Sequence, residues 1–388
     1  MDGNTFKFSR NIKLMTYFLM GVGIIGLIVG WIYYPQRTWA DFLINSFYFL
    51  TLSLSGLVFV AINHVSNARW SEPVRHLGQS LAHFLPVGSL IMLGLFFGIH
   101  SLYHWSHHDA VLHDHLLQHK EPYLNISFFY IRLVIILGIW NIFAFVLRRN
   151  SRLFHETGDE KYYKANTRNS AIFLILFAFS FSVASFDWIM SLEPHWYSTI
   201  FAVYNFSGMF VQGIAAVSLM AVVLKEWGYL KELNDNHFHD LGKLLFAFSM
   251  FWAYIWYSQF VLIWYGNIPE ETIYFVNRLK GDWDWLFYFN FFINFLVPFF
   301  VLMPRGSKRR ASLVKRVAIV LLIGHWLDVY LMVAPGTVGD NSSIGLLEIA
   351  ITLGFAGIFM HVIGRALSKT PLMPRKSYIL EESLHYHQ

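Results

Sequence analysis

The sequence predicts an all-α protein that crosses a membrane ten times. Two pseudo-repeated four-helix bundles (helices 2–5 and 6–9) are expected, with helices 1 and 10 on their flanks. Three observations predict it. Hydrophobic residues make up 56% of the chain and charged residues 14%, laid out in long apolar runs. Crossing ~30 Å of hydrocarbon takes about 20 apolar residues, which these runs supply. Basic residues concentrate in alternate loops, and short motifs recur four helices apart.

The runs lie at 12–34, 41–63, 81–102, 126–147, 169–192, 198–224, 241–265, 282–303, 313–333 and 344–364. A short basic stretch (Lys7, Arg10, Lys13) precedes the first. That run is too long for a signal-peptide core and lacks a clear small-residue cleavage site, so it is expected as a retained helix. His83 and Pro86 make the third run irregular, and Asn290, Asn294 and Pro298 the eighth. Ten spans put both termini on one face with 24 of the 29 Lys and Arg. The other face carries Arg37, Lys120, Arg278 and Lys280, and Arg132 lies inside the fourth run. The positive-inside rule then makes both termini cytoplasmic. One integral membrane domain, 1–388, results, with bundles at 41–192 and 198–333 and a cytoplasmic tail at 365–388. The net charge of +5 reports this topology and implies membrane lipid, not nucleic acid, as the surroundings.

The chain has no cysteine. Disulfides, thiolate chemistry, thiolate-held iron–sulfur clusters, covalent c-type haem and palmitoylation are therefore excluded for it. Any redox carrier must be bound non-covalently here or belong to another subunit.

The repeat rests on three matches. Ser46 precedes Ser55-Gly56 by nine residues, and Ser198 precedes Ser207-Gly208 by nine. Leu77-Gly78-x-x-Leu81-x-x-Phe84 answers Leu241-Gly242-x-x-Leu245-x-x-Phe248, and both Asp187 and Asp328 stand seven residues before a proline. An offset of four helices gives both halves one orientation about an axis along the membrane normal.

Charged groups inside a membrane helix cost roughly 2.5–3.5 kcal/mol each on insertion scales, so they mark a partner or a task. Asp187, near the outer end of the fifth helix, and Arg132, six residues into the fourth, are expected within reach of each other. The pair serves either to balance charge or to act in function. His325 and Asp328 share a helix face at i, i+3, which suits proton handling as well as a structural hydrogen bond. Gln259, Asn290 and Tyr254, with Asn205, Gln212, Asn294 and Tyr257, would line a hydrated path toward Asp328, although such residues more often bond helix to helix. The histidines of the outer loop, residues 100–119, include His104 and His108 at helical metal spacing. No acidic zinc motif accompanies them, so a surface or subunit contact is favoured and no metal is assigned. No pair among His64, His83, His100 and His361 matches in depth as a b-type haem would require.

The stretch Ser185-Phe-Asp-Trp-Ile-Met-Ser-Leu-Glu-Pro-His-Trp-Tyr-Ser198, with Tyr204-Asn-Phe-Ser-Gly208 and Gly324-His-Trp-Leu-Asp-Val-Tyr330, carries a resemblance. With the ten-helix layout, the chain resembles integral membrane subunits of the polysulfide reductase type. The closer likeness is to the smaller of the two in bacterial alternative complex III, a quinol:cytochrome c oxidoreductase. The resemblance implies a respiratory complex in the bacterial inner membrane. Its other chains would be a sister membrane subunit and subunits holding iron–sulfur clusters and c-type haems, with a terminal oxidase as a further partner. It also implies menaquinone or another quinone as ligand near the outer face, with Asp187 and Asp328 as the polar centres of the bundles. In that family the larger sister is the better candidate for the main quinol site. The smaller suits a proton path, structural pairing or a second quinone pocket. Read from the residues alone, a secondary transporter or a structural anchor subunit stays open.

Overall fold

The computed structural model describes residues 5–339, 344–369 and 371–372. Among them the chain is all-helical, and ten helices are long and apolar enough to cross a membrane. They are α1 (Arg10–Tyr33), α2 (Pro35–Val65), α3 (Arg69–Leu102), α4 (Ile126–Thr157), α5 (Glu160–Leu192), α6 (Phe201–Glu226), α7 (Asp235–Gly266), α8 (Asp284–Leu302), α9 (Ala311–Thr337) and α10 (Leu346–Lys369). Several outrun the apolar runs of the sequence, because a helix continues through the polar interface until a cap ends it. Asn125 caps α4, accepting from the Phe128 N–H at 2.9 Å, and Gly158, at φ +74°, ends it. Asp159 then starts α5 and Asn234 starts α7. Residues 365–369 of the expected tail belong to α10, and 373–388 lie outside the described residues.

The two irregular runs are irregular helices. α3 tightens into 3-10 turns at Ala82–Phe84 and Gly94–Gly98. Pro86 has no N–H to give the Ala82 carbonyl, so a regular α-turn cannot pass there. In α8, Pro298 likewise leaves the Asn294 carbonyl, and the helix widens to a π turn at Phe292–Leu296.

Helix α2 is the axis of the molecule, packed against α3, α5, α6, α9 and α10. Small residues set the closest crossings, as expected where lipid removes the hydrophobic drive between helices. A Cβ on Gly56 of α2 would meet the Gly78 carbonyl of α3 at 2.6 Å, and Gly213 of α6 lies directly on Ser55. Outermost, α1 packs on α10 where Gly23 meets Gly354 backbone to backbone. The face where α2 ends and α3 begins carries most of the basic residues and is here termed the basic face.

Candidate functional site

Two buried carboxyl groups sit in different surroundings. The regular part of α5 ends at Trp188 and is followed by a 3-10 turn, Met190–Leu192, before Pro194. Asp187 falls in the last helical turn and is 0% exposed. Its Oδ2 lies 2.5 Å from Nε of Arg132 on α4. Arg132 donates from Nη1 to the Tyr123 carbonyl at 3.0 Å, and its guanidinium lies 3.9 Å over the Tyr123 ring and 4.3 Å over Phe128. The Tyr123 side chain also hydrogen-bonds the Asp187 carboxyl, and no further donor reaches Oδ1 among the described residues.

Above this pair, on the face opposite the basic one, is a cavity of about 410 Å³. Its wall is mostly apolar and aromatic, with Phe186, Met190, Trp196 and Tyr197, and its polar groups are Asp187, Tyr123, Lys120, His119 and Ser191. Burial and then the Asp187 carboxylate push the Tyr123 hydroxyl up to about 12, against the opposing charge of Arg132, so it stays protonated at neutral pH. Burial lowers the pKa of Lys120, which donates from Nζ to the Pro194 carbonyl at 2.5 Å. His195 meets Asp114 at 2.5 Å, fastening the turn after α5 to the loop between α3 and α4. This hydrogen bond holds Asp114 below the usual carboxylate range.

Asp328 is enclosed on every side. Its Oδ1 accepts from the Tyr204 hydroxyl of α6 and from Asn290 Nδ2 of α8 at 2.7 Å, and its Oδ2 accepts from Trp252 Nε1 of α7 at 3.0 Å. His325 shares the face as its spacing implies, but Nδ1 is 3.8 Å from Oδ2 and neither ring nitrogen has a hydrogen-bond partner among the described residues. Gly208 makes the room, since a Cβ there would meet His325 Nδ1 at 3.3 Å. Asn294, on the π turn, donates to Asn290 Oδ1 at 2.7 Å and lies against Gly324. A cavity of about 20 Å³ adjoins Tyr204 and Asn290, enough for about one water, and Gln259 and Arg278 line it. Gln259 Nε2 is buried without a hydrogen-bond partner among the described residues.

Some expected residues lie elsewhere. Tyr254 is 66% exposed on the outside of α7 and lines no path to Asp328; Tyr257 is exposed as well. Five helical residues rotate by about 140°, so Tyr254 and Gln259 cannot both face inward. Gln212 bonds Thr51 of α2 at 2.9 Å, and Asn205 bonds back to the Phe201 carbonyl. His104 and His108 sit on separate short helices, His104–Ser106 and His108–Leu112, so their spacing is not that of one helix face.

Three groupings were not anticipated. Arg278, 2% exposed, stands on the short helix Pro269–Leu279 beneath the Tyr274 ring. It holds Glu193 at 2.7 Å and the carbonyls of Leu331 and Met332. Burial opposes its charge, but Glu193 and Tyr274 keep its pKa above the ordinary value. Arg37 pairs with buried Glu348, next to buried Asp41. At the basic end of α2–α5, His64, Arg75, Gln79 and His155 gather around another cavity of about 20 Å³. Glu348 and Asp41 lie within the predicted spans, so the rule applied to Asp187 would have found them. Arg278 gave no such signal, because it falls in a loop by hydropathy.

No family model and no curated protein matches the chain.

Proposed function

We propose that the chain is an integral membrane subunit of a quinol:electron-acceptor oxidoreductase complex of the cytochrome c type. The cavity over Asp187 is its quinone-binding surface, and the Asp328 network is a proton-holding centre. The observation that carries this reading is the Asp187 cavity. It combines the size and mostly apolar wall of a small-molecule site with a few convergent polar groups. One of those groups is the buried Asp187 carboxyl, whose Oδ1 no donor but the Tyr123 side chain approaches among the described residues.

The residues present fit a quinol head group. Asp187 would accept a hydroxyl hydrogen at Oδ1, since Oδ2 is committed to Arg132. Tyr123, protonated at neutral pH, would donate. The aromatic wall would stack on the ring and exclude water. Quinol would give up two electrons and two protons; this chain's part is to take up one proton at Asp187, the second leaving to water at the cavity mouth, while metal centres on partner subunits would take the electrons. The absence of cysteine accords with that division.

The pseudo-repeat gains support from the same geometry. Asp187 on α5 is bonded by Arg132, six residues into α4; Asp328 on α9 is bonded by Asn290, six residues into α8. Both aspartates thus take a partner from equivalent places in two four-helix units, α2–α5 and α6–α9. With the basic face cytoplasmic, the Asp187 cavity opens toward the outer side of a bacterial cytoplasmic membrane.

Steady-state quinol oxidation by the intact complex tests the reading. Positioned acid–base groups contribute typically 10²–10⁴-fold, so Asp187→Asn should lower kcat/KM for quinol by at least about 10²-fold. An unchanged kcat/KM in Asp187→Asn would remove the quinone surface from this cavity. Purification of the chain without haem or iron–sulfur partners would remove it from such a complex.

A further inference from the structure

A larger cavity lies at the opposite end of the molecule from Asp187. A groove of about 970 Å³ opens between α10 on one side and α2, α6 and α9 on the other. Its lining is apolar almost throughout, with Leu219, Met220, Ile323, Ala356, Phe359 and Ile363 among the residues that form it. Tyr48 and Trp326 turn only their rings to it. The Tyr48 hydroxyl donates to the Leu322 carbonyl at 2.8 Å, and the Trp326 indole N–H donates to Asn45 Oδ1 at 3.1 Å. Along α10 the groove follows Ile349 to Leu367, 18 residue steps, or about 27 Å at 1.5 Å per residue. That is most of the ~30 Å hydrocarbon core, and the Leu367 end reaches the basic face.

The end at the basic face is built differently. Phe6 stacks on Trp227 with ring centres 6.0 Å apart, and Phe8 lies on Gly364, where a Cβ would meet its ring at 2.7 Å. The segment before α1 thus crosses the mouth and brings basic residues to it. Lys7, Lys13 and Arg365 are all exposed there. Lys13 Nζ is 5.4 Å from the Phe8 ring, and Lys13 and Arg365 both lie within electrostatic reach of His361. Glu226, beside Trp227, is already held by Lys315 at 2.7 Å. The mouth therefore carries net positive charge above a long apolar slot.

We propose that this groove binds one anionic phospholipid from the leaflet on the basic face, its acyl chains along α10 and its phosphate against Lys13 and Arg365. A long apolar slot alone would take any lipid or a quinone tail. The cations are what select an anionic head group, by about fivefold per basic side chain near a membrane surface, or about 30-fold for the pair. The site shares no residue with the Asp187 cavity and does not depend on the quinone reading.

The test is native mass spectrometry of the purified, delipidated membrane protein titrated with phosphatidylglycerol or phosphatidylcholine. The wild type should retain one phosphatidylglycerol about 30-fold more tightly than phosphatidylcholine. Lys13→Ala with Arg365→Ala, both surface changes, should bring the two lipids to within about threefold while phosphatidylcholine binding is unchanged. Ala356→Trp, which fills the groove, should remove both, whereas Leu90→Trp, at an exposed position of α3, should remove neither. Equal retention of the two lipids by the wild type would overturn the proposal, as would a preference that survives loss of both cations. So would a quinone, or a helix of another subunit, found in the groove.

Discussion

Removing Arg132 leaves the most deeply buried charge of the candidate site without its partner. Asp187 is fully buried, and Arg132 Nε sits 2.5 Å from its Oδ2. With charge centres about 4 Å apart and an effective dielectric constant of about 20, the attraction is about 4 kcal/mol. Arg132→Ala also forfeits the bond to the Tyr123 carbonyl and two cation–π contacts of about 0.5–1 kcal/mol each. Breaking a buried pair from one side costs about 3–5 kcal/mol, and that is the loss expected here. Asp187→Asn should cost less, about 1–3 kcal/mol, because the amide oxygen still accepts from Arg132. Arg132 keeps its ring contacts and carbonyl besides. The double variant should then show a coupling of at least about 2 kcal/mol. Equilibrium unfolding of all four proteins in mixed detergent–SDS micelles, followed by circular dichroism, measures the cycle. A loss below about 1 kcal/mol for Arg132→Ala, or a coupling below about 0.5 kcal/mol, would refute the argument that Arg132 is what Asp187 requires.

Four further outcomes follow from the same structure. Trp252→Phe removes the donor to Asp328 Oδ2 and should cost about 1–3 kcal/mol in the same unfolding assay; a change under about 0.5 would mean the bond is not made. Gly213→Ala puts a methyl on Ser55 and should cost about 1–3 kcal/mol, largely recovered with Ser55→Gly; no recovery would place the strain elsewhere. Tyr254→Ala, on the exposed side of α7, should leave quinol oxidation within twofold of wild type, and a large loss would restore Tyr254 to the proton path. Tyr123 has a folded-state pKa of about 12, above the ordinary value of about 10, so its contribution to stability is full below pH 10 and lost as pH rises through 12. Thermal midpoints of Tyr123→Phe should therefore fall less between pH 10 and 12 than those of wild type, and parallel curves would contradict the assignment.

The polar centres were legible to different degrees. Asp187 with Arg132 could be read because each is an isolated charge in an apolar run, and antiparallel neighbours at similar depth must meet. Asp328 could be read as costly, and Asn290 was placed on the way to it, but Tyr204 and Trp252 could not be read as its partners. Tyr204, Trp252 and Asn290 come from three helices, and only their mutual rotation aims them at one carboxyl. Tyr254 was misassigned for the same reason, since depth along α7 says nothing about which side of α7 a residue occupies.

By itself the sequence determined how many helices cross, where each does, which face is basic, and which polar residues are costly there. Those are one-dimensional quantities, set by the transfer of each residue from water to hydrocarbon. It did not determine which helix forms the axis. In α2 the most apolar stretch is 100% buried and in α1 11%, although both have the length and hydropathy to span the membrane. Lipid is as apolar as a protein core, so hydropathy cannot separate a side chain facing a neighbour from one facing the bilayer. That choice is made only when small residues such as Gly56, Gly78 and Gly213 let particular helices close on each other. With it come the enclosure of Asp328, the open cavity over Asp187 and the groove beside α10.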